Sequence, residues 1–182
     1  MSVAGGPSGA ISLDRWTVTS GSSVNSRAAV VIRAGGHDWK ASTEGNGPVD
    51  ALLKAVDRAL ADVLGGHPQL LEYDVHALGE GPGAEGQVTV RIAPPPGARG
   101  DRAQGRFTGE AASTNTVASS VEAYIEALNR MLETTAWAGA TAAAAETMAA
   151  RRRAQGTIAG TNEPAEFDEE AQSLDITDWF NR

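Results

Sequence analysis

The chain has 182 residues, a formal net charge of −8 and no cysteine. Its length suits one domain with tails, its acidic balance without a basic patch disfavours nucleic-acid binding, and the missing cysteines exclude disulfides, thiol nucleophiles and cysteine metal sites. The N-terminus is unlike a signal peptide and no apolar run approaches the roughly 18 residues of a membrane span, so we expect a cytoplasmic protein without membrane or nucleic-acid partners.

The first half of the chain predicts three strands followed by a helix. Alternation around Trp16, a β-branched run over 28–33 and the segment 39–43 are typical of strands. Pro48 and Asp50 favour a helix start, because proline lacks an N–H that would be unpaired there and a negative charge suits the helix dipole. The apolar stripe that follows at helical spacing comprises Val49, Leu52, Leu53, Val56, Leu60, Val63 and Leu64.

The second half predicts the same order of elements. Strands are expected over 70–78, 87–93 and 102–108, with the glycine-rich loop 79–86 between the first two. The segment 111–116 leads into a second amphipathic helix. The apolar positions of that helix are Val117, Val121, Tyr124, Ile125, Leu128 and Leu132.

A short segment occurs twice in the chain. Residues 49–60 (VDALLKAVDRAL) and 121–132 (VEAYIEALNRML) align without a gap and are identical at five of twelve positions. Each copy follows strand-like stretches and a turn of small residues, which indicates a duplicated unit. The predicted fold class is therefore α+β, with two pseudo-symmetric βββα units and a helix pair packed on sheets.

The two ends of the chain differ from the predicted domain at 13–135. Residues 1–12 are expected to be disordered, and the alanine-rich segment 136–155 has high helix propensity. That helix either extends the second helix or stands apart, and either packs closely or is solvated. The acidic segment 156–182 is expected to be a flexible tail. Its apolar cluster of Leu174, Ile176, Trp179 and Phe180 either docks on a partner or folds back on the domain.

The sequence supports a binding site better than a catalytic one. The three histidines lack metal-ligand spacing, and we predict no catalytic residues, no metal and no cofactor. The turn 44–48 places glycines directly before a helix start, where free N–H groups attract a carboxylate, although a tight turn without a ligand explains the same residues. Together with Tyr73 and Ala77, this turn and the loop 79–86 are expected to frame a small, largely apolar pocket.

Three motifs carry a family resemblance: EGNGPVDAL (44–52), LLEYDVHAL (70–78) and TNTVASSVEAYIEALNRML (114–132). Together they resemble the C-terminal regulatory domain of 2-isopropylmalate synthase, the LeuA allosteric (dimerisation) domain, which citramalate synthases also carry. The resemblance covers roughly residues 13–135. It implies a pair of βββα units that forms a homodimer and binds a feedback inhibitor, leucine or isoleucine, at the dimer interface.

The resemblance also implies an effector pocket. Its ligand-binding positions fall on Gly45, Gly47, Val49, Leu70, Tyr73, Ala77, Ala84, Gly86 and Thr116, with Glu44, Asn46 and His76 as possible polar contacts. Three positions depart from the family pattern. Thr43 replaces a frequent glycine, Thr116 a larger apolar residue and Gly86 an alanine. A smaller and more polar lining is expected to weaken selectivity for leucine.

The main functional hypothesis is a stand-alone, non-catalytic regulatory domain, because the catalytic barrel of the synthase is absent from these 182 residues. It would bind a branched-chain amino acid or a related small acid and modulate a separate enzyme of leucine biosynthesis. One alternative is a scaffold protein whose acidic, aromatic tail is recognised or modified by a partner. Another is a recruited biosynthetic enzyme that uses the pocket between the repeats, with His76 and Tyr73 as proton-transfer groups.

Overall fold

The computed structural model describes residues 10–155, which form six strands and four α-helices. In chain order these are β1 (Ser12–Gly21), β2 (Val24–Ala34), β3 (His37–Gly45), α1 (Pro48–Ala59), α2 (Ala61–Leu64), β4 (Gln69–Leu78), β5 (Glu85–Ala93), β6 (Phe107–Ser113), α3 (Thr116–Leu132) and α4 (Ala140–Gln155). Short 3₁₀ turns lie at Gly100–Ala103 and Thr135–Trp137.

The strands form two separate three-stranded sheets. The first has the order β1-β2-β3 and the second β4-β5-β6, and all neighbours are antiparallel. Helix α1 packs on β2 and β3, and helix α3 packs on β5 and β6. This arrangement confirms the predicted α+β class with a two-unit βββα layout.

A single apolar core joins the two units. Alternate residues of the central strands point to the helices, so Val30 and Ile32 of β2 and Val88, Val90 and Ile92 of β5 are buried in one cluster. The predicted apolar stripes of α1 and α3 form the helix side of this core. Among the stripe residues, the fully or nearly fully buried ones are Leu52, Val56, Leu60, Val63, Leu64, Val121, Tyr124, Ile125 and Leu128.

The first helix region begins as its sequence predicts. Gly47 is the N-cap of α1, and Pro48 occupies the first helical position. After a break at Leu60, the short helix α2 ends at Gly65, whose positive φ of 66° is the left-handed conformation that glycine adopts without strain.

The third strand of the second unit was predicted at 102–108, and this position is wrong. The strand spans Phe107–Ser113, because the segment before it turns twice at glycines with positive φ, Gly100 and Gly105. The side chain of Arg102 also donates to the Ala136 carbonyl at 2.7 Å, outside the sheet. Pairing with β5 starts only at Phe107, opposite Ile92.

The alanine-rich segment forms α4, which is separate from α3. The 3₁₀ turn and Gly139, with a φ of 78°, divide the two helices. Ala140, Ala144 and Ala145 are buried against the core, so small side chains permit close packing. None of the helices in residues 10–155 has the length and apolar character needed to cross a membrane. The predictions for residues 1–9 and for the acidic tail at 156–182 lie outside the described residues.

Candidate functional site

The predicted ligand-binding turn before α1 already holds a carboxylate of its own chain. Asp50 Oδ2 accepts a hydrogen bond from the Asn46 backbone N–H at 2.9 Å and one from Lys54 Nζ at 2.7 Å. The hydrogen bond from Lys54, followed by that from Asn46, lowers the pKa of Asp50. An external carboxylate at this helix start would therefore meet an existing negative charge.

Close approach of a strand to a helix explains one of the two glycines in this turn. A Cβ atom at Gly45 would lie 2.5 Å from the Ala51 backbone nitrogen, so a side chain does not fit there. Gly47, by contrast, has open space where a side chain would project. Thr43, one of the departures from the family pattern, adds to this junction by donating to the Ala51 carbonyl at 2.8 Å.

Strand β4 carries exposed large apolar side chains, of which Leu71 and Leu78 lie outside the side that faces the helices. Leu70, Tyr73, Val75 and Ala77 lie opposite β5 residues on the helix-facing side of the sheet, and we call these four residues the β4 face. Helix α3 packs mainly on β5 and β6, so this edge strand stays largely exposed. Leu70, Tyr73 and Val75 are consequently 48%, 39% and 42% exposed.

The corresponding edge strand of the first sheet is better covered. Trp16 and Val18 of β1, which lie opposite Val30 and Ala28, are half-buried and pack against the core. The two units thus differ where their first strands meet solvent. Sequence reasoning missed Val75, although its alternation with Tyr73 and Ala77 carries the signal.

A chain of hydroxyl groups fixes the middle of β4 to the start of α3. The buried Ser120 donates to the Thr116 carbonyl at 2.6 Å, so the Tyr73 hydroxyl, 2.7 Å from Ser120 Oγ, is the donor in that contact. A Cβ atom at Gly86 would lie 3.1 Å from Thr116 Oγ1. The two pocket positions that depart from the family pattern, Gly86 and Thr116, are therefore neighbours in space.

The structure does not bring His76 and Tyr73 together. Tyr73 lies opposite the buried Val90, whereas His76 lies opposite Gln87 on the other side of the sheet. His76 Nε2 is 2.6 Å from Asp74 Oδ2 on that outer side. Because successive strand residues point to opposite faces, the two side chains have no common site for proton transfer.

The predicted pocket residues fall into two groups, one on each unit. Gly45, Gly47, Val49, Glu44 and Asn46 surround the start of α1, where Glu44 pairs with Arg27 at 2.9 Å. The second group lies on β4, the β4–β5 loop, β5 and the start of α3, and comprises Leu70, Tyr73, Ala77, Ala84, Gly86 and Thr116. Ala77 and Gly86 are paired across β4 and β5, so the second group contains the more compact cluster.

A buried polar cluster joins the two helices. Tyr124 of α3 donates to Asp57 Oδ1 of α1 at 2.5 Å, and His67 Nδ1 lies 3.4 Å from Asp57 Oδ2. Burial raises the pKa of Asp57 despite these two partners, and burial together with the Asp57 charge raises the pKa of Tyr124 well above its usual range. Sequence reasoning missed this cluster, since Asp57 aligns with a neutral residue, Asn129, in the other helix.

Metal chemistry has no site in the part of the chain that the structure describes. Residues 10–155 contain no group of three histidine or carboxylate side chains placed to hold a metal ion. The three histidines instead lie apart, at a hairpin turn, before β4 and on the outer side of β4.

Comparison with known proteins gives a consistent result. The model of the LeuA allosteric (dimerisation) domain matches residues 2–132. The chain is 37% identical over 108 residues to the 2-isopropylmalate synthase of Dechloromonas aromatica, covering 59% of this chain and 19% of that protein. It is 42% identical over 107 residues to that of Olsenella uli, covering 58% and 18%. The chain thus spans about a fifth of the length of the curated relatives it matches.

Proposed function

We propose that this chain, which belongs to the LeuA allosteric (dimerisation) domain family, is a regulatory homodimer that binds a small amino-acid effector. The observation that carries the proposal is the uncovered β4 face. An apolar edge strand exposed along its length invites association, and its exposure at Leu70, Tyr73 and Val75 leaves a surface for a partner.

A second copy of the chain is the partner that best fits the β4 face. Most soluble oligomers are twofold-symmetric, with the same patch contributed by both protomers. The β4 face is suited to such a contact because its two central side chains, Tyr73 and Val75, are large, mainly apolar and exposed. Exposed aromatic and aliphatic side chains of this kind are typical of the centres of protein interfaces.

Sedimentation equilibrium tests the dimer with two matched variants. Val75→Asp places a charge on the β4 face and is expected to give a monomer, because an unpaired buried charge is costly. Val24→Asp is the control, since Val24 is also an exposed valine, at 65%, but lies at the β1–β2 turn. The wild type and Val24→Asp should both have twice the 18.8 kDa chain mass. Equal masses for the two variants would contradict this interface.

The effector site is proposed beside the β4 face, around Tyr73, Ala77, Gly86 and Thr116. Two features support it: the small residues Ala77 and Gly86 are paired across the strands, and the Thr116 hydroxyl provides a polar wall. A site at the edge of the interface would allow an amino acid to shift the protomer arrangement. Such a ligand acts only through a difference in affinity between two states.

Calorimetric titration with leucine, isoleucine and valine tests the effector. Thr116→Val replaces a hydroxyl with a methyl group at the proposed wall, and we expect leucine to bind several-fold more tightly, since burying a hydroxyl without a partner is unfavourable. Thr19→Val, on the exposed part of β1, is the control. No heat from any of the three amino acids at millimolar concentration would contradict effector binding and leave the dimer proposal unaffected.

The regulated activity is proposed to be that of a synthase. The relatives named 2-isopropylmalate synthase are about five times longer than the matched region, so a catalytic domain is the expected recipient of the signal, on the same or on a separate chain. Adding the chain to a synthase lacking its own copy of this domain tests this. We expect the amino acid to inhibit that synthase once the chain is added. A synthase rate that the amino acid leaves unchanged would contradict the proposal.

A further inference from the structure

Side chains of the two long helices occupy backbone groups of the edge strands β3 and β6. On β6, Glu126 of α3 accepts from the Glu110 N–H at 2.6 Å, and Arg130 donates to the carbonyl of the second residue of the strand. On β3, Arg58 of α1 donates to the Ser42 carbonyl at 3.3 Å. Backbone groups that are held in this way are not free to pair with a further strand.

The edge strand β1 is irregular. Its pairing with β2 shifts between Leu13 and Arg15 and again between Thr19 and Gly21, which leaves a regular run of five residues. Irregularities of this kind bend a strand and hinder the pairing of another strand at its edge. Strand β1 is therefore, like β3 and β6, a poor template for further pairing.

Strand β4 is the open edge in the part of the chain that the structure describes. After one shift between Leu70 and Glu72, it pairs with β5 without interruption to Leu78, and β5 is the one strand beside it. This run contains no proline and no lysine, two residues that commonly protect sheet edges. The pairing with β5 and the contact of Tyr73 with Ser120 hold β4 in place. Its free edge is thus a preformed template for another strand.

We propose that β4 of one protomer pairs antiparallel with β4 of a second copy, so that their second sheets join into one six-stranded sheet. Pairing of β4 with itself uses both open edges and leaves none, as a closed twofold dimer requires. Pairing with a different edge would leave one β4 edge free at each end and would continue into a chain of molecules. This inference rests on the proposed homodimer and specifies how its two protomers meet.

Twofold symmetry and charge select the register of this pairing. In a twofold-symmetric antiparallel pair, one residue lies opposite itself and its neighbours pair at equal distances on either side. A centre at Tyr73 would place Glu72 opposite Asp74, and a centre at Asp74 would place two aspartates opposite each other; like charges in these positions are unfavourable. A centre at His76, or closer to either end of β4, would shorten the pairing. The remaining centre is Val75, in the middle of the regular run.

The register centred on Val75 brings complementary side chains together. Asp74, which lies 2.6 Å from His76 of its own strand, is opposite His76 of the second copy. On the β4 face, Val75 meets its own counterpart, and Tyr73 lies opposite the small Ala77 of the second copy. Both copies therefore contribute to the proposed effector site around Tyr73 and Ala77.

Cysteine cross-linking tests this register, because the chain contains no cysteine. Directly opposite residues have Cα atoms about 4.5–5.5 Å apart, which is within the range of a disulfide. On mild oxidation, Val75→Cys should form a linked species of twice the 18.8 kDa chain mass. Ala77→Cys lies on the same face but roughly 13 Å along the strands from its counterpart, so it should remain unlinked. Efficient cross-linking of Ala77→Cys in place of Val75→Cys would overturn the proposal.

A mixture of two further variants tests the same register at the ends of the run. Glu72→Cys and Leu78→Cys should each fail to cross-link alone, since each lies about 20 Å from its own counterpart, but they should link to each other when mixed before oxidation. Sedimentation equilibrium under reducing conditions separates this proposal from the dimer. A dimer without a cross-link at Val75→Cys or in the mixture contradicts the β4 pairing alone, whereas a monomeric wild type contradicts the dimer and the pairing together.

Discussion

Replacing Gly109 with alanine tests how closely β6 and α3 approach each other. A Cβ atom at Gly109 would lie 2.0 Å from the Ala123 carbonyl oxygen and 2.5 Å from the Ala127 nitrogen, where ordinary contacts begin at 3.4 Å. The strand or the helix must therefore move by about 1.4 Å. Both obstacles are helix backbone rather than a flexible side chain, so we expect a loss of about 3 kcal/mol or more in the free energy of unfolding.

Urea denaturation at fixed protomer concentration measures this loss. With a slope of about 2 kcal/mol per molar, the midpoint for Gly109→Ala should fall by about 1.5 M. Gly97→Ala is the control, because Gly97 has open space around its Cβ position and no positive φ, and it should change the free energy by less than about 0.5 kcal/mol. A loss below about 1 kcal/mol for Gly109→Ala would refute the close approach.

Three further predictions concern side chains that join parts of the fold. Asn129→Ala should lower the free energy of unfolding by about 2 kcal/mol in urea denaturation, because it leaves the Ile11 N–H and carbonyl unpaired. A loss below about 0.5 kcal/mol would contradict a stabilising role for these two hydrogen bonds. Burial holds the pKa of Asp57 above its unfolded value of 3.8, so the stability that the protonated carboxyl contributes is fully present below pH 3.8 and is lost as the pH rises through the folded pKa. The difference in free energy of unfolding between wild type and Asp57→Asn should therefore fall over that window, and a pH-independent difference would contradict the shift. Arg151→Ala should cost less than about 1 kcal/mol, since its pair with Asp62 is largely exposed, and a larger thermal destabilisation would show that α4 depends on it.

Periodicity predicted the two units well where burial dictates the residue type. The stripe of α1 and the alternation in β5 follow directly from the core that they form. The start of β6 was not predictable in this way. Residues 102–106 are compatible with a strand, and it is the positive φ of Gly100 and Gly105 and the contact of Arg102 with Ala136 that keep them out of the sheet. Such long-range contacts leave no periodic signal.

The candidate site was predictable in part. Tyr73 and Ala77 carry a local pattern, and the structure places them on one exposed face of β4. The buried role of Asp57 carries no such signal, because an acidic residue in an amphipathic helix ordinarily lies in solvent. Its polar partners Tyr124 and His67 lie 67 and 10 residues further along the chain, so no local pattern marks it.

The concentration dependence of hydrogen exchange in the unmodified protein tests the central proposal most directly. If two copies meet through the β4 face, exchange over residues 69–78 should slow when a dilute sample is concentrated, because partner contacts cover that strand. Exchange over residues 12–21, in the corresponding strand of the first unit, should stay the same. Exchange over 69–78 that does not change with concentration, or protection that falls on 12–21 instead, would contradict the proposed dimer.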